Sequence, residues 1–383
     1  MPGRASDAAR PLVVHVTADH PDPIAPDKTR AIADMIALTG DRFDNHVISL
    51  NRVGMGASRL VTFAEGEAWT YRAPGRGLFH ATCLRALGRR LAEAVAAMRE
   101  PALLVGHKLT VEGLAVAHAA RMLGVPYALT IQGDTDTKII AARPDLRGVF
   151  ARVFHEAASV VAIAPWALDR VQATLGRRGG ATHVIPAPTD LDTPLPVRTG
   201  SGELLSVFHL GSRRRKNLSG LARAVRLLET NGSDVRLAVA GGGSASDVAA
   251  VRELATGSMA YIGPLERGEV AERMNRAAAF VLPSRRESLG LVFIEALFAG
   301  CPIIYPAGHG VSGFFDDLPF AIPVRWSDSA ALADAMAFAA ANETALKGAL
   351  DEWRSRGGLE PFTRPAIAAR YTRVFADAAQ VSP

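Results

Sequence analysis

The sequence predicts an α/β protein with two doubly wound domains of comparable size. Short apolar runs of strand length alternate with stretches of helical periodicity, the pattern of parallel sheets covered by helices. The alternation occurs twice, on either side of a Pro- and Gly-rich stretch at 187–200 that breaks regular structure. The length of 383 residues suits about two to three domains. We expect a first domain over 1–195, a second over 196–360 and a helical segment over 361–383.

The first series contains runs of apolar or β-branched residues, each bounded by polar or turn residues. Strands are predicted at residues 12–17, 46–50, 102–105, 127–131, 159–164 and 182–186. Helices are predicted at residues 29–38 and 112–123, and Gly124 ends the second of them.

The second series repeats this organisation. Strands are predicted at residues 204–210, 235–240, 259–262, 278–282 and 302–305. Helices are predicted at residues 218–228, 268–276 and 291–298, from Ala330 onward, and at 361–379. Asn217 is the predicted cap of the first of these helices. Ligands bind outside the carboxyl ends of strands in such sheets, so we look for chemistry there.

Composition excludes several classes of protein. Hydrophobic residues make up 49% and charged residues 21%, as in an ordinary globular chain. Cys83 and Cys301 lie too far apart for a metal motif and are interpreted as reduced thiols of a cytoplasmic protein. No apolar run reaches the roughly 18 residues of a membrane-spanning helix. The net charge of +5 suits an anionic ligand or lipid surface, and no nucleic-acid motif is present.

The most informative motif lies in residues 281–302. A buried strand ends at Pro283, a polar loop follows, and Gly290 precedes a helix whose free N–H groups would attract a phosphate. Glu287 and Glu295 lie in this loop and helix, and sugar hydroxyls are natural partners for their carboxylates. The alternative is that both are solvated surface charges.

A second motif follows the first strand of the second domain. Gly211 and Ser212 lead into four consecutive cations, Arg213–Lys216, ahead of a predicted helix. Four adjacent cations repel one another unless an anion is near. A diphosphate at the carboxyl end of the strand is the obvious anion, and a solvated loop is the alternative.

Residues 281–302 resemble the E-x7-E signature of retaining glycosyltransferases of the GT-B fold, family 4. The resemblance covers about residues 204–315 and extends more loosely over the whole chain. It implies two Rossmann-like domains facing across a cleft, with the last helix returning to the first domain. It also implies that Glu287 contacts the donor sugar and that Glu295 binds the ribose. By the same resemblance, the loop that holds sugar and phosphate comprises Ser288, Leu289, Gly290, Leu291 and Val292.

In this family the basic turn neutralises the leaving diphosphate with an Arg directly after the Gly and a Lys further on. Lys216 matches the Lys, whereas Ser212 occupies the usual Arg position. Arg213 or Arg214 is then the replacement, and the sequence does not choose between them.

Two further segments resemble nucleotide contacts of the family. Gly241 begins a triplet of glycines after a strand, which suits either a nucleotide turn or a plain tight turn. Ile262 lies in a segment similar to the loop that contacts the base through its main chain.

The first domain departs further from the family. His107 and Lys108 follow a strand and resemble its strand-end His, while Gln132 stands where the family often has a His near the anomeric carbon. We expect these three residues on the acceptor side, with Asp134 as an acceptor-orienting carboxylate. Lys28 is compatible with either a ligand contact or an ordinary surface position.

Residues 134–136 spell D-x-D, the metal motif of the other glycosyltransferase fold, and residues 190–192 spell it again. Such a tripeptide is common by chance, and the two-domain layout argues against its use. We therefore expect neither a metal nor a cofactor.

One segment bears on location. An apolar stripe with arginines beside it suits a basic helix on an anionic membrane surface, and equally a helix packed on its own domain. The stripe comprises Leu84, Leu87, Leu91, Val95 and Met98, and the arginines are Arg85, Arg89 and Arg90.

The predicted function is metal-independent, retaining transfer of a sugar from a nucleotide-diphosphate sugar to a saccharide or lipid-linked saccharide. A bacterial cell-envelope or exopolysaccharide pathway is the expected setting, with the protein cytoplasmic or peripheral on the inner membrane face. One alternative is a non-catalytic GT-B subunit that supports a partner enzyme, suggested by the altered residues Ser212 and Gln132. The other is an epimerase or phosphorylase on the same fold, because fold alone does not determine the reaction.

Overall fold

The computed structural model describes residues 9–54, 58–200, 202–255 and 257–381. These residues form two compact units. Unit 1 comprises the described residues of Met1–Ile163, Ala167–Ala187 and Pro365–Pro383, and unit 2 those of Ala164–Trp166 and Pro188–Arg364. Each unit is a parallel sheet with helices, so the predicted α/β fold class is confirmed.

Strands and helices alternate over much of each unit, as predicted. Before the Pro-rich stretch they are β1 (Leu12–Thr17), α1 (Ala31–Ala37), β2 (Asp44–Val53), β3 (Leu60–Phe63), β4 (Gly66–Arg72), α2 (His80–Ala96), β5 (Leu103–His107), α3 (Glu112–Leu123), β6 (Tyr127–Ile131), α4 (Asp134–Ala142), α5 (Arg147–Glu156), β7 (Ser159–Ala162), α6 (Pro165–Leu175) and β8 (Ala181–Val184). After it they are β9 (Leu204–Val207), α7 (Leu218–Thr230), β10 (Leu237–Ala240), α8 (Ala245–Leu254), β11 (Met259–Gly263), α9 (Arg267–Arg276), β12 (Ala279–Val281), α10 (Leu291–Phe298), β13 (Ile303–Pro306), β14 (Ala321–Val324), α11 (Ser329–Ala341), α12 (Glu343–Ser355) and α13 (Arg364–Ala379).

The sheet of unit 1 has the strand order β3-β4-β2-β1-β5-β6-β7-β8. Its strands pair in parallel except for β3, which is antiparallel to β4. Strand β1 has the predicted bounds and lies centrally, between β2 and β5. All six of its residues are buried, as expected for a strand covered on both faces.

Helix α13 belongs to the core of unit 1, although it follows unit 2 in the chain. Its apolar face contributes Ile367, Tyr371 and Phe375 to the cluster that contains Val13 of β1. These residues recur at helical spacing within the helix predicted at 361–379. Unit 1 therefore depends on the C-terminal helix for part of its hydrophobic core.

The apolar stripe of α2 is buried against its own unit. Leu84, Leu87 and Leu91 are each at most 5% exposed, and α2 packs on α3. Arg90 lies over the Trp69 ring at 4.4 Å and donates to the carbonyl of Thr70. The stripe thus packs on its own domain, the second of the two predicted alternatives. Across the described ranges, no helix is both long enough and apolar enough to cross a membrane.

The sheet of unit 2 has the order β11-β10-β9-β12-β13-β14, and its strands pair in parallel. Strand β9 ends at Val207, three residues before the predicted end at Leu210. Leu210 instead begins a short 3-10 turn and donates its N–H to the carbonyl of Gly242 at 2.8 Å. The apolar character of Phe208 and Leu210 reflects buried loop positions.

Candidate functional site

The two motifs of unit 2 meet because their strands are neighbours. β9 and β12 pair in parallel, so the loops that follow them leave the same edge of the sheet. The main chain links the two loops directly, since Arg285 donates its N–H to the carbonyl of Arg215 at 2.8 Å.

Lys216 and Glu287 form an ion pair at this edge. The Nζ of Lys216 donates to Oε2 of Glu287, and Ser284 Oγ donates to the same oxygen at 3.2 Å. The Lys216 side chain is 13% exposed and that of Glu287 9%, so both are partly shielded from water. The pair places one cation and one carboxylate at the point where a diphosphate sugar is expected.

The loop that carries Glu287 is held from several sides. Gly310 donates its N–H to the carbonyl of Glu287 at 3.2 Å. Trp166 Nε1 donates to the carbonyls of Ser288 and Gly310, at 3.0 Å each. This bracing fixes the loop before any ligand binds.

Gly290 is the residue directly before α10 and has a φ of +75°. A Cβ atom at this position would lie 2.7 Å from the Phe293 ring and 3.0 Å from Cγ of Glu287. Only glycine therefore allows the chain to turn here. The turn leaves the first N–H groups of Leu291 and Val292 at the helix start, where an anion is favoured.

The remaining cations of the basic turn have different environments. Arg213 pairs with Asp247, which is also part of the capping box at the start of α8. Arg215 donates to Ser212 Oγ at 3.3 Å. Arg214 is exposed and forms no ion pair with any described residue. Gly211 donates its N–H to His209 Nδ1 at 3.2 Å, which closes the turn.

Asn217 occupies the position directly before α7, as predicted for its cap, but it does not cap the helix through its side chain. The residue is left-handed, with φ +63°. It is fully buried, and its Nδ2 donates to the carbonyl of Trp326 at 2.7 Å. The sequence signal for this role was weak, because Asn is common at caps and in left-handed positions alike.

Gly241 is required by close packing within unit 2. A Cβ atom on it would lie 1.9 Å from the carbonyl oxygen of Phe208. The hydroxyl of Tyr261 donates to the Gly241 carbonyl at 2.9 Å, beside the half-buried Ile262. Of the two predicted alternatives, the tight turn is sufficient to explain this glycine.

Glu295 lies one turn into α10 and is partly buried. Burial raises the pKa of its carboxyl group, and the neighbouring charge of Asp190 raises it further, whereas the main-chain N–H of Asp190 opposes this. Arg267 pairs with Asp190 at 2.7 Å. Glu295 is thus one member of a small charged cluster.

In unit 1, β1, β5 and β6 are adjacent, and their following loops bring several predicted residues together. Lys108 has a φ of +130° and is 9% exposed. Its Nζ lies 2.6 Å from Asp19 and 3.9 Å from Glu112. Burial alone would lower the pKa of Lys108, but the two carboxylates outweigh it and raise that pKa to about 12.

Glu112 is fully buried at the start of α3. Its Oε1 accepts from the N–H of Ala18 at 2.6 Å, and its Oε2 has no hydrogen-bond partner among the described residues. Burial raises the pKa of this carboxyl group to about 7, against the opposing effect of Lys108.

His107 does not reach the surface of unit 1. Its ring is fully buried and stacked on that of His15, with centroids 5.3 Å apart. His107 Nε2 lies 3.1 Å from His15 Nδ1, and its Nδ1 lies 3.4 Å from Thr130 Oγ1. Any effect of His107 on a ligand must therefore be indirect.

Gln132 is half-buried, and its Nε2 donates to Thr130 Oγ1 at 2.7 Å. Asp134 begins α4 and pairs with Lys138 at 2.5 Å. Asp136 is fully buried and accepts from the N–H and hydroxyl of Thr110, so the two aspartates of this D-x-D have different surroundings. Within the described parts of the chain, no three His, Cys, Asp or Glu side chains are grouped as a metal site.

Lys28 is an internal ion-pair residue. Its Nζ lies 2.6 Å from Asp22, which is fully buried and also accepts from Ser49 and Asn51. The ligand contact that the sequence allowed for Lys28 would require this network to open.

A cavity of about 340 Å³ opens beside the Lys108 loop of unit 1. This volume lies at the lower end of the usual range for small-molecule sites. Its lining includes Arg52, Tyr71, His80, Leu84, Ile139 and Arg143. It combines two cations with an apolar wall.

Sequence reasoning missed four residues that shape these sites: Asp19, Glu112, Trp166 and Asp247. Each acts through a contact with a residue distant in the chain, so no local pattern marks it. A clear example is Trp166, which donates a hydrogen bond to Ser288 across 122 positions of sequence.

Residues 197–353 match the family described as Glycosyl transferases group 1. The chain is also 33% identical over 180 residues to a D-inositol 3-phosphate glycosyltransferase of Xylanimonas cellulosilytica. That match covers 40% of this chain and 43% of the relative, so the chain spans less than half the length of this curated protein. Unit 2 thus contains a glycosyltransferase domain of group 1 type.

Solved structures resemble the chain over nearly its whole length. A sucrose-phosphate synthase from Thermosynechococcus elongatus has a TM-score of 0.69 at 19% identity, covering 95% of this chain and 98% of that one. A UDP-forming α,α-trehalose-phosphate synthase from Burkholderia xenovorans, in complex with glucose-6-phosphate, has a TM-score of 0.65 at 13% identity, covering 95% and 100%. At these identities the likeness shows the fold, which is that of GT-B glycosyltransferases.

Proposed function

We propose that this chain is a retaining glycosyltransferase of family 4 that moves a sugar from a nucleotide-diphosphate sugar to an acceptor hydroxyl. One observation carries the proposal: Lys216 and Glu287, from two separate motifs, meet at the carboxyl edge of β9 and β12. Their neighbours include a glycine-initiated helix start suited to phosphate.

In the proposed complex the diphosphate lies against Lys216 and the first N–H groups of α10. An ammonium group has three donors, and Glu287 accepts from one of them, so the others are available to phosphate oxygens. Arg214 is the more available replacement for the family's Arg, because Arg213 is engaged by Asp247. These groups would stabilise charge that develops on the leaving diphosphate.

Glu287 is proposed to accept from donor-sugar hydroxyls and Glu295 from the ribose. Both positions are already restrained, Glu287 by Ser284 and Lys216, Glu295 by Asp190. A restrained carboxylate loses less conformational freedom when it binds a ligand, which favours affinity.

The proposed reaction breaks the bond between the anomeric carbon and a phosphate oxygen, and forms a bond between that carbon and the acceptor oxygen on the same face. The electron pair of the broken bond leaves with the nucleoside diphosphate. A phosphate oxygen takes the acceptor's proton, so the protein need not form a covalent intermediate. We propose no metal, because the basic turn can supply the positive charge that a metal otherwise would.

Unit 1 is the proposed acceptor side. Its cavity is lined by Arg52 and by Arg143, which would exchange its ion pair with Asp145 for an anion, and it offers an apolar wall to a carbon skeleton. The related proteins are named for phosphorylated sugars or inositol, and a phosphate-bearing saccharide suits the two cations. A lipid-linked saccharide in envelope polysaccharide synthesis, at the inner membrane face, remains our proposed biological setting.

The test is thermal unfolding with UDP-, GDP- and ADP-sugars, followed by measurement of nucleoside diphosphate release. A donor at a hundred times its dissociation constant should stabilise the protein by about 2.7 kcal/mol. Stabilisation without any release, alone or with acceptors, would favour the non-catalytic subunit. Absence of stabilisation by all of these donors would contradict the proposal.

A further inference from the structure

A chain of buried hydrogen bonds runs through unit 1 from the end of α1 to Gln132. It joins Asn45, His15, His107 and Thr130, from four different strands, to Gln132 in the loop after β6. His15, His107 and Thr130 are each fully buried. Water therefore does not compete for these contacts.

The donor-to-acceptor direction of this series of hydrogen bonds is set at Asn45. Its Nδ2 donates to the carbonyl of Ile36 at 3.1 Å and to Thr39 Oγ1 at 3.0 Å. A backbone carbonyl can only accept, so the amide nitrogen must face Ile36. The amide oxygen then faces His15 Nε2 at 3.1 Å, and this nitrogen must carry a proton.

The same direction follows at each later step. Burial lowers the pKa of His15 to about 4 and that of His107 well below its usual value, so both rings are neutral near pH 7. With Nε2 protonated, His15 Nδ1 accepts from His107 Nε2 at 3.1 Å. His107 Nδ1 is then unprotonated and accepts the hydroxyl proton of Thr130 at 3.4 Å.

The hydroxyl of Thr130, having donated its proton, accepts from Gln132 Nε2 at 2.7 Å. The opposite direction would turn the Asn45 oxygen toward the carbonyl of Ile36. Two buried acceptors would then face each other without a proton between them, which is unfavourable. The direction in which Gln132 donates toward His15, and His15 donates to Asn45, is therefore the only one that satisfies every member.

We infer that Asn45, His15 and His107 are positioning residues that fix the amide of Gln132, with Nε2 inward and Oε1 left to accept from a ligand. Among the described residues, no hydrogen bond to Oε1 is present. Gln132 would thus select a sugar hydroxyl, which can donate, over a group that only accepts. The identity of that ligand rests on the proposed function, whereas the donor-to-acceptor direction of the hydrogen bonds does not.

The direction can be tested without a ligand. In ¹⁵N-histidine-labelled protein at pH 7, imidazole nitrogen shifts should show His15 and His107 as neutral rings protonated at Nε2. His15→Gln and His107→Gln assign the signals, and the exposed His209 is the reference. A ring protonated at Nδ1 in either residue of the wild-type protein would overturn the inference.

The link to Gln132 is tested by turnover. The readout is release of nucleoside diphosphate from UDP-glucose, GDP-mannose and ADP-glucose, with kcat and KM measured separately. Gln132→Met removes the acceptor oxygen and should lower kcat about tenfold, the effect of one hydrogen bond. Asn45→Leu should lower kcat by a similar factor, with the KM for the donor unchanged.

The double variant distinguishes positioning from general stability. If Asn45 acts through Gln132, Asn45→Leu should cause no further loss in the Gln132→Met protein. Asn275→Leu is the matched control, because Asn275 is a buried amide of unit 2 that bonds to two carbonyls. Its effect should add to that of Gln132→Met.

Additive losses for Asn45→Leu and Gln132→Met would overturn the positioning role. If no donor is turned over by the wild-type protein, the proposed function fails, and the histidine tautomers still decide the direction of the chain. The wild-type tautomers also decide it if Asn45→Leu does not fold.

Discussion

Lys216 donates to Glu287 across 71 positions of sequence, and each side chain restrains the other. The ion pair joins the basic turn to the acidic loop before a donor binds. Removing either partner would leave a poorly exposed charge without compensation, which is costly. The two motifs are therefore one structural unit, and a variant in one should be analysed together with its effect on the other.

We expect Lys216→Ala to lower kcat about 10²–10³-fold, the usual effect of removing one preorganised charge stabiliser. A cation at the diphosphate interacts more strongly with the transition state than with the bound donor, so turnover should respond most. Arg215→Ala is the matched control, because Arg215 is exposed and bonds only weakly to Ser212. It should have a much smaller effect.

Turnover of the four single alanine variants of residues 213–216 is the measurement, with unfolding curves to confirm that each protein is folded. Equal, shallow losses across all four would remove the specific role of Lys216. They would show instead that the cations share one diffuse field.

Glu295→Ala should weaken donor binding roughly tenfold to a hundredfold, because a hydrogen bond to a charged group contributes about 1.5–3 kcal/mol. Calorimetric titration with the donor found by the thermal screen measures the effect. Glu253→Ala, an exposed glutamate on α8, is the control and should bind normally. Unchanged affinity in the Glu295 variant would refute the ribose contact.

Activity should survive chelation. The turn at residues 213–216 supplies positive charge without a divalent ion, and Asp136 of the D-x-D segment is buried beneath Thr110. Turnover is measured after dialysis against EDTA, then again with added magnesium or manganese. Loss on chelation and recovery with metal would favour the D-x-D interpretation.

Glu112→Gln should flatten the pH dependence of stability between about pH 4.5 and 7. The carboxyl group has an ordinary pKa of 4.5, and burial raises it to about 7 in the folded protein. The folded state therefore binds the proton more tightly, and Glu112 makes stability fall as pH rises through this window. The full effect is of the order of 3 kcal/mol.

Urea unfolding of the wild type and Glu112→Gln at several pH values provides the measurement. The difference between the two proteins isolates Glu112 from other titrating groups such as His15, whose lowered pKa acts in the opposite direction. A difference that is constant between pH 4.5 and 7 would contradict the raised pKa.

Local patterns predicted the elements whose signal is local. The apolar run at residues 12–17 predicted the bounds of β1. The helical spacing of Ile367, Tyr371 and Phe375 indicated the helix that the structure shows as α13. Strand β3 was missed because it has only four residues, and β4 because the three consecutive residues 68–70 are buried without alternation. The predicted end of β9 was wrong, since buried loop residues and strand residues have the same apolar character.

Within the candidate sites, the sequence singled out individual residues of unit 2 but did not indicate which side chains they contact. Lys216 and Glu287 were each singled out, but their contact depends on strand order. In unit 1 the pairing of His15 with His107 spans 92 positions, and nothing in the sequence places one ring against the other. The sequence therefore suggested a ligand contact for His107, whose side chain is fully buried.

The position of α13 has a consequence for synthesis of the chain. During translation, residues 188–364 of unit 2 emerge from the ribosome before Ile367, Tyr371 and Phe375, which unit 1 needs for its core. Domains usually fold in the order of their synthesis, N-terminal first. Here the core of unit 1 lacks these three side chains until residues 188–364 of unit 2 have been synthesised. The core of unit 1 can therefore be completed only after nearly all of unit 2 has been synthesised.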